Sequence, residues 1–281
     1  MIRLKTHSAA DINNYAAESL GVILQPITIT FGTKEYKDGV DIMPDEFYDK
    51  LFSSDVLPKT SQIPPYVFEE EFEKYTANGD ELIVISISSK LSGTYEAAKK
   101  TAEAFNGKVW VVDSLNACIG ERLLAFYALR LLKKGFSAKE IFDELNSAKK
   151  KINVMAVLGT LEYLKKGGRI SKAVAFAGEI LSLKPVIGVI DGEVKLIGKA
   201  IGSRKGNNLL NKLVQEKGGI DFSMPYGTIW SGLDKTGHDK YVRDSAALWA
   251  GHTDGVPSYV LGGTIGTHIG PGAVGVAFFE K

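Results

Sequence analysis

The fold class is decided by one stretch, Leu82-Ile83-Val84-Ile85-Ser86-Ile87, which runs into Ser88-Ser89-Lys90-Leu91-Ser92-Gly93-Thr94. A short continuous apolar run rich in β-branched residues is typical of a strand buried on both faces, as in a parallel sheet. The periodicity that follows predicts a helix over about 95–105, with Gly107 as its stop. Val109-Trp110-Val111-Val112 then predicts the next strand. This strand–helix–strand order predicts an α/β domain with a parallel sheet.

The same alternation extends on both sides of that stretch. Before it, the sequence predicts a strand over 25–31 and a short helix over 44–52. After it, a long helix is expected over 119–133, and Ser137 with Glu140 forms a capping box for a further helix reaching about residue 150.

The pattern changes after the lysine run at 149–151. Two β-prone runs, 184–190 and 193–198, are joined by Asp191-Gly192, a strong hairpin signal that belongs to an antiparallel sheet. Helices over about 207–216 and 240–250 and strands over 226–230, 258–261 and 273–280 follow. We predict an N-terminal α/β domain, residues 1–152, and a C-terminal α+β domain with a largely antiparallel sheet, residues 153–281. A ligand site is expected between them.

Composition excludes several functional classes. The chain has 281 residues, and its 34 Lys plus Arg nearly balance its 33 Asp plus Glu, so charge gives no reason to expect a nucleic-acid partner. The single cysteine cannot form an internal disulfide, and no apolar stretch approaches the roughly 20 residues of a membrane helix. We expect a cytoplasmic protein without stable membrane insertion.

Common cofactor and metal motifs fail when their context is considered. The segment 270–275 matches G-x-G-x-x-G but leads into a strand instead of opening a helix. The segment 192–199 resembles a P-loop but has the wrong glycine spacing and lies in a predicted hairpin. The four histidines lack metal-ligand spacing. We therefore predict no cofactor and no metal site.

Two segments present hydroxyl groups near one another. Lys59-Thr60-Ser61-Gln62 is flanked by prolines that favour an extended loop, although these hydroxyls could instead cap a helix over 67–75. Ser92, Gly93 and Thr94 lie between the buried strand and the next helix, where free N–H groups favour an anion. The alternative is that Ser92 or Thr94 serves only as an N-cap.

Two further segments carry imidazole and guanidinium groups. Glycines from Gly262 to Gly272 surround His268 in what we interpret as a loop, and such glycines permit close approach of a ligand. Arg169 lies in a basic run around two glycines, and its fork geometry suits a carboxylate or phosphate, although such a run is usually a solvated turn.

These motifs, in this order, resemble the DegV family of bacterial fatty-acid-binding proteins. The resemblance rests on Thr60-Ser61-Gln62, on 88–94, on Gly167-Gly168-Arg169-Ile170-Ser171 and on 266–272, and it spans nearly the whole chain. It implies one long-chain fatty acid held between two domains and presented to a separate fatty acid kinase. It also implies that Thr60 and Ser92 bind the carboxylate, with His268 in the surrounding network and Arg169 near the head group or the kinase-facing surface.

The predicted ligand-binding set consists of these residues and their neighbours: Thr60, Ser61, Ser92, Gly93, Thr94, Arg169, His268 and Gly270. The chain departs from the family pattern at a few positions. His7 stands where many members carry Asp, Lys90 stands at a usually small position, and Ile201 stands about where kinase-partnered members carry Arg. The first two concern the pocket and the last concerns the kinase.

Three functions remain open from the sequence. The first is a monomeric, non-enzymatic lipid carrier. The second is an acyl or phosphoryl hydrolase that uses Ser92 and His268 as a dyad. The third is a regulatory module for which the lipid is a signal.

Overall fold

The computed structural model describes residues 1–170, 182–249, 251–252 and 255–281. The strands are β1 Ile2–His7, β2 Ile23–Gln25, β3 Thr28–Phe31, β4 Lys34–Lys37, β5 Lys59–Ser61, β6 Glu81–Ser86, β7 Val109–Asp113, β8 Ile152–Val157, β9 Leu183–Ile190, β10 Glu193–Ile201, β11 Tyr226–Trp230, β12 Ser258–Val260 and β13 Val274–Phe279. The helices are α1 Asn14–Leu20, α2 Pro44–Ser53, α3 Pro65–Thr76, α4 Thr94–Ala102, α5 Ile119–Lys133, α6 Ala138–Ala148, α7 Glu162–Lys166, α8 Ser203–Glu216, α9 Thr236–Asp244 and α10 Gly263–Ile269.

A four-stranded parallel sheet forms the centre of the first half, in the order β2-β1-β6-β7. All but the first residue of β6 are buried, which explains why its sequence is apolar without alternation. Helix α5 packs against β1 and β6 and also against β8, β11 and β13, so it lies between this sheet and the next. The predicted α/β class is therefore confirmed.

A six-stranded sheet follows, in the order β10-β9-β8-β13-β11-β12. Every neighbouring pair is antiparallel except β11 with β12. The β9–β10 turn has positive φ at both Asp191 and Gly192, 52° and 84°, as a two-residue hairpin of this twist requires. The predicted hairpin and largely antiparallel sheet are confirmed.

The single strand predicted over 25–31 is wrong. Pro26 separates two strands, β2 in the parallel sheet and β3 in a small antiparallel sheet of order β4-β3-β5. Proline has no N–H to donate to a ladder, and the Ile27 N–H donates to Ser8 Oγ at 3.0 Å instead of to a strand. The chain leaves one sheet and enters the other at this point.

Two helical predictions also differ from the structure. The glycine-rich segment interpreted as a loop contains helix α10, because Gly263 and Gly266 pack directly against α2. The helix predicted over 240–250 begins earlier as α9 and ends at Asp244, followed by a 3₁₀ turn, Ala246–Trp249. Residue 250, and Ser171 of the glycine–arginine motif, lie outside the described residues.

Within the described parts of the chain, no helix is both long and apolar enough to cross a membrane.

Candidate functional site

A cavity lies between the loops that follow the parallel strands and the inner face of the six-stranded sheet. Its volume is about 210 Å³. A cavity needs only about 10–15 Å³ to hold one water, so this one has room for a ligand much larger than a solvent molecule.

Most of the cavity wall is aliphatic. The apolar lining residues are Ile27, Ile87, Leu91, Ala117, Cys118, Val154, Ala156, Leu164, Ile187, Val189, Val194, Ile229, Leu261, Ile265, Ile269 and Ala273. They come from the parallel sheet's loops, from the six-stranded sheet and from α10. A long aliphatic wall with few polar groups favours a ligand with a long hydrocarbon part.

The polar groups of the lining come from four separate segments. Thr60, Ser61 and Gln62 belong to β5 and its end, Ser92 and Gly93 precede α4, Arg169 follows α7, and Thr264 and His268 lie on α10. The structure thus brings six of the eight predicted site residues to one cavity: Thr60, Ser61, Ser92, Gly93, Arg169 and His268.

Thr60 and His268 form the central polar contact. Thr60 Oγ1 lies 2.9 Å from His268 Nε2, although the two residues are 208 positions apart in the chain. Thr60 is paired with Ile29 of β3, which turns its side chain inward, whereas Lys59 and Ser61 are exposed. The alternative that these hydroxyls cap the next helix is wrong, because α3 begins after Pro64 with no side-chain cap.

His268 is neutral near pH 7. Burial, together with the nearby Arg169 charge, lowers the pKa of the imidazole to about 4. A neutral imidazole has one N–H donor and one acceptor nitrogen, and a hydroxyl can donate or accept. His268 and Thr60 can therefore exchange donor and acceptor roles according to the ligand. Buried Nδ1 has no hydrogen-bond partner among the described residues.

Ser92 holds the loop that precedes α4. Its Oγ donates to Thr94 Oγ1 at 3.0 Å and accepts the Thr94 N–H at 3.3 Å. The N-cap position itself is Gly93, which has no side chain to cap the helix. A Cβ at Gly93 would meet the side-chain oxygen of Gln62, so the Gln62 side chain would have to move for any larger residue at this position.

Arg169 ties two segments together. Its Nε–H donates to the Leu91 carbonyl at 3.2 Å, and its Nη1–H donates to the Gly167 carbonyl at 2.7 Å. The guanidinium group is therefore oriented by backbone acceptors while its positive charge stays beside His268. Two of the guanidinium N–H donors are thus already bonded to the protein before any ligand binds.

Two predicted site residues lie outside the cavity lining. Thr94 is fully buried, and its Oγ1 accepts the Ile63 N–H at 3.2 Å, which fixes the end of β5's loop to α4. Gly270 has a φ of 71°, and a Cβ there would collide with the Tyr163 ring. Thr94 and Gly270 therefore support the segments that line the cavity without lining it themselves.

Sequence reasoning missed the aliphatic wall as a set, and it also missed Gln62, Cys118 and Thr264 as candidates for the site. Thr264 and His268 are separated by four positions, the spacing of one helical turn. That spacing was the signal available for α10, but the glycines between them favoured a loop. Cys118 is buried, and burial raises the pKa of its thiol above the usual range.

Across the described residues, no group of three or more His, Cys, Asp or Glu side chains could hold a metal ion. For the alternative Ser92–His268 dyad, the hydrogen bonds of the described residues are to other partners: the Ser92 hydroxyl donates to Thr94 Oγ1, and His268 Nε2 lies against the Thr60 hydroxyl. A nucleophile and its base need to lie within hydrogen-bond reach of each other.

Comparison with known proteins gives matches over the whole chain. The model of a family described as uncharacterised proteins of the DegV family matches residues 1–281. A "DegV domain-containing protein" of Caldanaerobacter subterraneus subsp. tengcongensis is 33% identical over 284 residues, which cover 100% of this chain and 99% of the relative.

Two solved structures share the fold. One carries the description "Fatty Acid Binding of a DegV family Protein from Thermus thermophilus", with 30% identity, a TM-score of 0.86, and coverage of 100% of this chain and 99% of that one. The other is described as "DegV, a fatty acid binding protein from Bacillus subtilis", with 27% identity, a TM-score of 0.83 and the same coverage.

Proposed function

Because this chain belongs to the DegV family, we propose that it binds one long-chain fatty acid in the cavity and carries it without transforming it. The observation that carries the proposal is the cavity itself, with its aliphatic wall and its polar cluster of Thr60, Ser92 and His268. The fatty-acid binding described for the Thermus thermophilus and Bacillus subtilis proteins supports it.

The carboxylate of the fatty acid binds at the polar cluster. The Thr60 and Ser92 hydroxyls and the neutral His268 imidazole supply hydrogen bonds, and Ser61 and Gly93 border the same space. Arg169 supplies positive charge, whereas Thr94 and Gly270 hold the loops in place. The site lies between the proposed units 1–152 and 153–281, whose boundary falls at the start of β8.

The energy of binding comes mainly from the acyl tail. At about 0.8 kcal/mol per buried CH₂, a tail of roughly 15 methylenes contributes about 12 kcal/mol before the costs of association. A neutral hydrogen bond to the head group contributes only about 1 kcal/mol net. The tail therefore sets the affinity, and the hydroxyl groups set the orientation of the carboxylate.

The carrier role includes a partner. We propose that a separate, ATP-using fatty acid kinase phosphorylates the carboxylate that this protein presents, and that the carrier works as a cytoplasmic monomer with no cofactor of its own. The hydrogen bonds of Ser92 to Thr94 and of His268 to Thr60 support a carrier over a hydrolase.

The test is denaturing extraction of the purified protein with mass spectrometry of the organic phase, and native mass spectrometry for stoichiometry. We expect one fatty acid per chain. Absence of lipid together with no uptake of added palmitate or oleate would refute the proposal. Incubation with acyl esters and acyl phosphates tests the hydrolase directly, because turnover that Ser92→Ala abolishes would replace the carrier role.

Head-group variants test the residue roles. Thr60→Val and Ser92→Ala each remove a hydroxyl, and we expect both to retain lipid but to slow phosphorylation of the bound acid by added kinase and ATP. Ser89→Ala is the matched control, because Ser89 shares the loop of Ser92 but does not line the cavity. Wild-type rates in both variants would show that these hydroxyls do not position the carboxylate.

A further inference from the structure

Helix α10 carries His268, but its sequence gives it little intrinsic helix stability. It has seven residues, two of which are glycines at 263 and 266. Each interior glycine costs about 1 kcal/mol relative to alanine, and isolated helices shorter than about 12 residues are marginal in water. The placement of His268 must therefore come from contacts outside the helix.

Two carboxyl groups from the beginning of the chain bind the first N–H groups of α10. Asp38 accepts from the Gly263 N–H at 3.0 Å through one oxygen and from the Thr264 N–H at 3.1 Å through the other. Asp11 accepts from the Gly262 N–H at 2.7 Å. These three bonds satisfy donors that a helix start leaves without intrahelical partners, and negative charge there is favoured by the helix dipole.

Asp38 is itself fixed in the small antiparallel sheet. It follows β4 directly, is buried, and its N–H donates to the Ile27 carbonyl at 3.0 Å. The opposite edge of this sheet is β5, which carries Thr60. The sheet therefore contacts α10 at both ends, through Asp38 at the start and through Thr60 at His268.

The dimensions of the two elements agree with this arrangement. From Gly263 to His268 the helix advances about 7.5 Å at 1.5 Å per residue. The two strand spacings from β4 to β5 amount to about 9.6 Å. The length of this part of α10 and the width of the sheet are thus similar. A shift of α10 by one residue would turn its side chains by about 100°, which would carry His268 away from Thr60.

We propose that Asp38 is a positioning residue for the head-group site, which acts by fixing α10 so that His268 Nε2 meets the Thr60 hydroxyl. Asp11 supports the same helix start with a single bond. Neither carboxyl group lines the cavity, so neither contacts the bound ligand. The consequence for the fatty-acid carboxylate rests on the proposed function, whereas the geometry of His268 does not.

The experiment follows the imidazole of His268 by ¹⁵N NMR in the ligand-free protein, in Asp38→Asn and Asp38→Ala. Asn keeps one acceptor and Ala keeps none, so we expect a graded change of the Nε2 resonance away from its hydrogen-bonded position. With greater access to water, the burial that lowers the pKa of His268 is relieved, so this pKa should rise from about 4 towards its ordinary value in the Ala variant.

Two controls separate positioning from stability. Asp41→Asn removes an exposed carboxyl group that accepts from the Lys37 N–H in the same region without contacting α10. Val214→Ala lowers stability in a different apolar cluster, that of Tyr241 and Trp249, which includes no residue of α10. Both should leave the His268 resonance and titration unchanged. Asp38 variants that lose thermal stability but keep the wild-type His268 signals would overturn the proposal.

If Asp38→Ala does not fold, Asp38→Asn and Asp11→Asn provide the same graded test. Bound [1-¹³C]palmitate then reports the consequence, because its carboxyl resonance should move in the Asp38 variants and stay fixed in the controls. If the wild-type protein takes up no palmitate, the proposed function is refuted. The positioning role of Asp38 is then still decided by the His268 measurement, which needs no ligand.

Discussion

The loop after β6 and helix α10 bring polar groups to the same cavity, but they are held in opposite ways. The loop extends from a buried strand whose own residues form the core, and Ser88 Oγ, Ser92 and Thr94 fix it by hydrogen bonds over short sequence distances. Helix α10 contains small residues and is fixed by groups from more than 200 positions away. Local hydrogen bonds therefore contribute to the first region beside longer-range ones from Ile63 and Arg169, whereas the position of the second depends mainly on tertiary contact.

The loop after β6 forms one wall of the cavity and α10 forms another, and the two walls differ in what fixes their ligand-facing groups. Ligand-facing groups on a strand-end loop inherit the rigidity of the sheet, as is usual in open α/β folds. Groups on α10 inherit their position from the residues that contact the helix. Changes distant from the cavity should consequently affect His268 more than Ser92.

The largest expected effect concerns His7, which is fully buried beneath the cavity loops and does not line the cavity. His7 ends β1, and burial lowers the pKa of its imidazole to about 3. The unfolded chain takes up this proton below about pH 6.5 and the folded chain does not, so stability present at pH 7.5 is lost as the pH falls. At pH 5 the loss from His7 alone is about 2 kcal/mol.

His7→Gln tests this value because the amide can still reach Ser86 Oγ, which lies 3.2 Å from His7 Nε2. Urea unfolding at pH 7.5 and pH 5 should show a pH-dependent loss about 2 kcal/mol smaller than in the parent. An equal loss in both proteins would mean that His7 titrates normally. Added fatty acid should change the titration of His268, which lines the cavity, and not that of His7.

A smaller effect is expected from added volume in α10. Gly266→Ala improves helix propensity by about 1 kcal/mol, but the new Cβ would lie 2.6 Å from Phe47 Cε1 and 2.9 Å from Tyr48 Oη. Overpacking of this kind costs about 1–3 kcal/mol, so we expect net destabilisation of up to about 2 kcal/mol by thermal or urea unfolding.

Gly237→Ala is the matched control in α9, where the nearest atom to a new Cβ is 4.0 Å away. It should be neutral or stabilising by up to about 1 kcal/mol. Equal changes in stability for Gly237→Ala and Gly266→Ala would show that α10 can move to accept the new Cβ, and would contradict its close packing against Phe47 and Tyr48.

The smallest effect concerns Cys118, which lines the cavity at the start of α5. Its φ of 48° and ψ of −134° are unfavourable for a residue with a Cβ. Removing this strain offsets the entropic cost of glycine, so Cys118→Gly should be more stable than Cys118→Ala by about 1 kcal/mol. Urea unfolding of the pair measures this difference, and the usual order, with alanine the more stable, would contradict it.

The sequence predicted regular elements well where local signals agreed. The bounds of α5 and β11 match the predicted 119–133 and 226–230, because strong periodicity and clear stops coincide there. The hairpin at Asp191 was equally clear. Pro26 was a signal for a break between two strands, but the β-prone residues on both sides of it favoured a single strand.

The site was predictable only as a set of residue types. Thr60, Ser92 and His268 stood out as hydroxyl and imidazole groups in glycine- and proline-rich segments. Their meeting depends on strand register and on the packing of α10, which no linear pattern contains. The supporting roles of Thr94 and Asp38 were hidden for the same reason, since their partners lie 31 and 225 or more residues away.

The place of β13 in the six-stranded sheet has a consequence for biosynthesis. It follows the other strands of that sheet in the chain, yet it lies between β8 and β11. On the ribosome, β8, β9 and β10 can pair as soon as they emerge, whereas β11 and β12 wait for β13 before they join the sheet. The aliphatic wall of the cavity therefore stays open to chaperones until β13 is made, and slow translation near this strand should raise the risk of aggregation.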